Sequence, residues 1–115
     1  MFTRKTLNEK IREFLLELEN NGFRVTKVIL YGSYATGKIH ENSDIDLAIW
    51  LSNFPKKHWS DILEITHIVA KHSPISPKFY PENETENEDP FIGIIEKTGR
   101  AIDLQKAGGT VIPRV

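Results

Sequence analysis

The 115-residue chain has no cysteine, which removes disulfides, thiolate metal ligands and thiol catalysis together and fits a reducing, cytoplasmic setting. It also lacks any apolar run near the ~18 residues that a membrane-spanning helix needs, and its first residues, Met-Phe-Thr-Arg-Lys-Thr, carry no apolar signal core. Neither a membrane nor a secretory route is expected, so Asn83-Glu84-Thr85, although it spells a glycosylation acceptor, would not meet that machinery. Charge of one sign is missing too: 15 Lys and Arg against 16 Asp and Glu leave a net charge of −1. No global field would draw nucleic acid, which is not an expected partner. There is no internal repeat. What remains is 39% apolar and 10% aromatic residues, enough for one core and too short a chain for two. A single domain is expected over residues 1–107, followed by a tail, 108–115, that has no periodicity and is expected to fray or cover a neighbour.

Hydrophobic spacing gives the order of elements. Leu7, Ile11, Phe14, Leu15 and Leu18 form the buried stripe of a first helix, with Thr6 and Glu9 as a capping box and Gly22 as its stop. From Arg24 the period becomes two, and a β-branched strand runs to Gly32. An organised loop with one helical turn around Tyr34 to Thr36 leads to a half-buried strand in which Ile45, Leu47, Ile49 and Leu51 alternate with Asp44, Asp46, Ala48 and Trp50, two acids standing at its entrance. Pro55 closes that strand's exit, and a helical stripe from Trp59 to about Lys71 follows. Ile75 to Tyr80, bounded by prolines, reads as an edge strand. Glu82 to Asp89 holds five acids in eight positions and reads as a solvated loop. Asp89-Pro90 starts a last helix ending at Gly99, and Ala101 to Leu104 reads as a final strand. The fold class is α+β, a small mixed sheet flanked by helices.

Gly32 to Lys38 reads G-S-Y-A-T-G-K, seven positions of a phosphate-binding P-loop, but the eighth, Ile39, has no oxygen for a metal, and the strand at Asp44 comes too soon for the long helix required. A different reading uses the polar residues better. Asp44 and Asp46, separated by one residue in that strand, leave the same face with Cα atoms ~6.5–7 Å apart, while Ile45 and Leu47 point into the core. Two carboxylates that close repel, and a divalent cation, naturally Mg²⁺, cancels the penalty while keeping places for water and phosphate oxygens. Gly32 lets backbone approach a ligand, and Ser33 offers an amide and a hydroxyl to phosphate.

Gly-Ser, a ten-residue spacer, then Asp-Ile-Asp-Leu resembles the signature of the polymerase-beta-like nucleotidyltransferases, and the run GSYATGKIHENSDIDLAI is similar to their minimal, stand-alone members. The resemblance implies the nucleotidyltransferase fold and transfer of a nucleoside monophosphate, AMP by preference, from ATP or another nucleoside triphosphate to an acceptor hydroxyl. It assigns the triphosphate to Gly32 and Ser33, and catalysis and the metal to Asp44 and Asp46. It further implies a helical partner of the HEPN class, in a toxin-antitoxin pair in which a tyrosine of the toxin accepts AMP. Two departures stand out. Thr36 occupies a position that is basic in many relatives, with Lys38 as its substitute. The third carboxylate of active members should lie on the strand from Ile75 to Tyr80, which offers Ser76, Lys78 and Tyr80 but no acid; Glu82, Glu84 and Asp103 are not placed by sequence. The alternative is therefore a binding subunit that keeps the fold and masks a partner surface. A homo-oligomer is left open.

His40, His58, His67 and His72 show no ligand spacing, so zinc is not expected. Lys56-Lys57-His58 beside Trp59 reads as a solvated helix start, and Trp50 and Trp59 as core or partner-contact residues.

Overall fold

A computed structural model describes residues 2–54, 59–107 and 110–114, with side chains as far as Leu104. The exit at Pro55 and the basic run 56–58 lie outside the described residues. Helix α1 (Arg4–Asn20) begins one turn earlier than its capping-box reading: Thr3, not Thr6, is the N-cap, its hydroxyl accepting from the Thr6 amide at 3.2 Å. The same chemistry was available three residues upstream, and Leu7 closes the first turn onto the Thr3 carbonyl. At the other end Gly22 takes φ +88° while Gly22 and Phe23 amides return to the Glu19 and Leu18 carbonyls, a Schellman stop.

Strand β1 (Val25–Tyr31) leads into the one-turn helix α2 (Ser33–Thr36), then β2 (Ile45–Leu51), α3 (Trp59–Ala70), β3 (Ile75–Pro81), α4 (Pro90–Thr98), β4 (Arg100–Ala101), β5 (Asp103–Ala107) and β6 (Thr110–Arg114). The main sheet has the order β3-β2-β1-β4, with β2 and β3 parallel across the α3 connection and the other pairs antiparallel. It is the mixed sheet expected, with β3 at its edge, where Pro77 and Pro81 cost least. Within the expected tail, residues 110–114 form β6 in antiparallel register with β5 and lie near α1. The segment is too short to show a period, and its Val111-Ile112 pair was the available signal.

Helices cover both faces. On one, Leu7, Ile11, Phe14, Leu15 and Leu18 of α1 and Ile68 of α3 bury Val28, Leu30, Ile45, Leu47, Ile49 and Leu51. On the other, Ile92 and Ile95 of α4 bury Ile29, Ala48, Trp50 and Tyr80. Strand β2 is thus buried on both sides rather than half-buried, and Asp46 is its one residue that is not fully buried. Trp50, expected to be a core or partner-contact residue, is core: its indole stacks on Tyr80 and donates to the Glu84 carbonyl at 2.9 Å, which ties the acidic loop to the sheet. Trp59, by contrast, is 76% exposed at the start of α3, with Ile62 and Leu63 also largely exposed. Glu17 of α1 pairs with Lys71 and, at 2.7 Å, with His72 just past α3. These hydrogen bonds hold its carboxyl below the ordinary range.

Candidate functional site

The site is built where β1 ends and β2 begins. These strands are antiparallel with Tyr31 opposite Asp46, so the Gly32 turn arrives beside the acidic entrance of β2. Gly32 has φ +70° and ψ −150°, a conformation essentially confined to glycine. A Cβ there would overlap the Oδ2 of Asp46. Both demands, the backbone conformation and the space, fall on one residue, and they bring the Gly-Ser corner against a carboxylate that lies fourteen residues after Gly32, at the start of β2.

Asp44, expected within the strand, stands one residue before β2 and is exposed, and Asp46 is partly buried. Loss of hydration raises the Asp46 pKa above the usual carboxylate range, and the charge of Asp44 raises it further. The two acids therefore feel one another, as their spacing requires. The approach to Asp44 is fixed by Ser43, the one buried polar residue among those described: its hydroxyl accepts from the His40 amide at 3.0 Å and its own amide donates to the His40 carbonyl. Immediately after, the Ile45 amide donates to the Pro74 carbonyl at 3.0 Å, docking the start of β2 on the segment before β3.

Ser33 is the first residue of α2, half-buried beside Gly32, and the turn is closed by Ala35 and Thr36 amides on the Gly32 carbonyl. An open depression of about 420 Å³ borders Asp44 on the other side, lined by Ser73, Pro74, Ser76 and Pro77. Across the sheet, the row at the site reads Tyr31, Asp46, Ser76, because Ser76 is the parallel partner of Asp46. No carboxylate occupies that neighbouring position. Glu82 and Glu84 follow the far end of β3, alongside the end of β2 that is ~17 Å from Asp46. Asp103 lies beyond the Ala101–Ile29 pair, on the side away from Tyr31. Among the described residues no three acids or histidines gather as a metal cluster.

Asp44 and Asp46 still suit a hard cation: two oxygen donors, one destabilised in its charged form, facing a glycine that keeps the space open. They could hold one Mg²⁺ with its remaining positions open to water and phosphate.

Sequence reasoning missed Tyr31, Lys78 and Phe91, which share the Asp46 face. Burial raises the Tyr31 pKa, and Asp46 adds to it. The Phe91 ring meets Tyr31 edge-on at 5.9 Å, and the Lys78 ammonium lies 5.0 Å from the Phe91 centroid and 3.8 Å from Asp89. Only the strand register reveals these neighbours; the one sequence signal was that Tyr31 directly precedes Gly32.

Replacing Gly32 by Ala is expected to cost about 1–3 kcal/mol of stability through backbone strain and to displace Asp46. Thermal melting and Mn²⁺ titration check it: both the melting temperature and the affinity should fall. An unchanged Mn²⁺ affinity would refute the close packing of Gly32 on Asp46.

A Methanocaldococcus jannaschii protein named as a candidate protein adenylyltransferase is 41% identical over 54 residues, 46% of this chain. The match spans 37% of that relative's length. The family description "nucleotidyltransferase domain" matches residues 8–105. That span takes in the Gly32-Ser33 corner, both aspartates and every strand of the main sheet, and the chain belongs to the nucleotidyltransferase domain family.

Proposed function

We propose that the protein transfers a nucleoside monophosphate, specifically AMP, from a Mg²⁺-bound nucleoside triphosphate to an acceptor hydroxyl. The observation that carries this reading is the packing of Gly32 against Asp46 with Asp44 beside it. The word adenylyltransferase in the relative's name supports AMP as the group moved. Gly32 and Ser33 hold the triphosphate: the Gly32 turn sets the corner against Asp46, and the Ser33 hydroxyl and amide donate to phosphate. Asp44 and Asp46 hold the cation, which when bound neutralises charge growing on the leaving pyrophosphate.

In-line displacement needs the acceptor opposite the leaving group. With pyrophosphate anchored on the β1 side, the acceptor enters from the β3 side, along the depression beside Asp44 and Ser76. The bond from the α-phosphorus to pyrophosphate breaks, a bond to the acceptor oxygen forms, and the acceptor's proton is released. A tyrosine hydroxyl on a HEPN-type helical toxin is the acceptor proposed, with the protein acting as antitoxin.

A second reading is favoured by Ser76, which stands beside Asp46 where no third acid helps deprotonate the acceptor. In that reading the protein neutralises its partner by covering it. One experiment separates the two. The protein is incubated with ATP labelled on the α-phosphate, Mg²⁺ and the product of the adjacent reading frame, beside an Asp44→Asn, Asp46→Asn double variant. Label transfer lost in the variant supports the enzyme; neutralisation that survives without transfer supports masking.

A further inference from the structure

We propose that Phe91 is the platform on which the nucleobase of the bound triphosphate stacks. The assignment rests on the triphosphate reading of the Gly32–Asp46 corner and extends it to the other end of the nucleotide.

Phe91 is not needed to seat its own helix. Helix α4 packs through Ile92 and Ile95, both essentially inaccessible, whereas Phe91 is 38% exposed. An aromatic ring left partly in water at the first turn of a capped helix can offer its exposed surface to a ligand. Ile29, Ala48 and Trp50 turn toward α4, and by strand alternation Tyr31 and Asp46 lie on that same face. Tyr31 is the cross-strand partner of Asp46, feels its charge, and meets the Phe91 ring at 83°. Phe91 is therefore one ring removed from Asp46, on the sheet face that Asp46 shares.

The ring is also held in place before any ligand arrives. Its backbone amide donates to Asp89 Oδ1 at 3.0 Å, Asp89 Oδ2 accepts from the Tyr80 hydroxyl at 3.1 Å, and Tyr31 braces the ring edge-on. Lys78 lies over it at cation–π distance, but its ion pair with Asp89 is 3.8 Å long and its side chain is 45% exposed. A base stacking on Phe91 can displace that ammonium, which then remains close enough to meet acceptor atoms on the base edge. Stacking on an aromatic ring is tolerant of base identity, so the proposal concerns the presence of a base and not which base it is.

Calorimetric titration of the whole protein with Mg-ATP and with Mg-tripolyphosphate tests it, because the second probe has phosphates and no base. Phe91→Ala should weaken Mg-ATP about 5- to 100-fold and leave Mg-tripolyphosphate unchanged. Phe91→Leu, which keeps the apolar bulk without the π face, should behave nearly the same, and Phe91→Trp should restore Mg-ATP affinity. The assignment is overturned if Phe91→Leu binds Mg-ATP as tightly as the parent, or if both ligands weaken together. Failure of the parent protein to bind either ligand would instead overturn the triphosphate site itself.

Discussion

Asp46→Asn is expected to lower nucleotide transfer by at least about a thousandfold while the protein stays folded. The magnitude follows from the several kcal/mol that a metal contributes to a phosphoryl-transfer barrier, each 1.4 kcal/mol being tenfold in rate. The fold should survive because the Asp46 side chain makes no hydrogen bond to the scaffold among the described residues, and its charge is held at a cost: lost hydration first, then Asp44, raise its pKa. The sign of the stability effect follows. A carboxylate whose pKa is raised on folding penalises the folded state at pH above both its values and contributes nothing once both states are protonated. Asp46→Asn should therefore melt higher than the parent near neutral pH, and the difference should vanish as pH falls below the ordinary carboxylate range. Mn²⁺ binding followed by electron paramagnetic resonance should be lost in parallel. A variant that melts higher yet still transfers label at the parental rate would remove Asp46 from the reaction.

The local elements and the site's acidic half were legible because each rests on nearby residues. The α1 stripe and the Asp89-Pro90 start of α4 are local patterns, and they are found as read. The chemistry proposed for Gly32 was also legible in kind, since a glycine after a strand and before Ser33 invites close approach. Its partner was not: that the missing Cβ makes room for Asp46 depends on the antiparallel register of Tyr31 with Asp46, which no local pattern encodes. The same holds for Ser76, whose place beside Asp46 depends on the parallel register of β3, and for Phe91, which reaches Tyr31 only because α4 crosses that face. Alternation misled at Ala48 and Trp50. It gave their direction correctly, but whether that direction leads to water or to a second core was decided by α4, some forty residues later.

Ile45→Asp is expected to abolish the folded state, although it lies between two aspartates that the protein tolerates. Ile45 has no exposed surface, belongs to the cluster under α1 and α3, and pairs with Ile75 at the start of β3. The substitution forfeits about 1.5–3 kcal/mol of apolar burial and adds several kcal/mol for a carboxylate that must be buried or forced to protonate. Together these approach the ~5–15 kcal/mol that stabilises a whole domain. Because burial would raise the new carboxyl's pKa in the folded state, the charge penalty should be full at neutral pH and fade below the ordinary carboxylate range, leaving only the lost apolar burial. Asp44→Asn is the internal control: Asp44 is exposed, so its replacement leaves the melting temperature close to the parent's. Urea unfolding of the three proteins at neutral and acid pH reads both effects. If Ile45→Asp and Asp44→Asn lost stability equally, the strand would have to be turned over, with the aspartates inward and the proposed grip on magnesium and triphosphate gone from the surface.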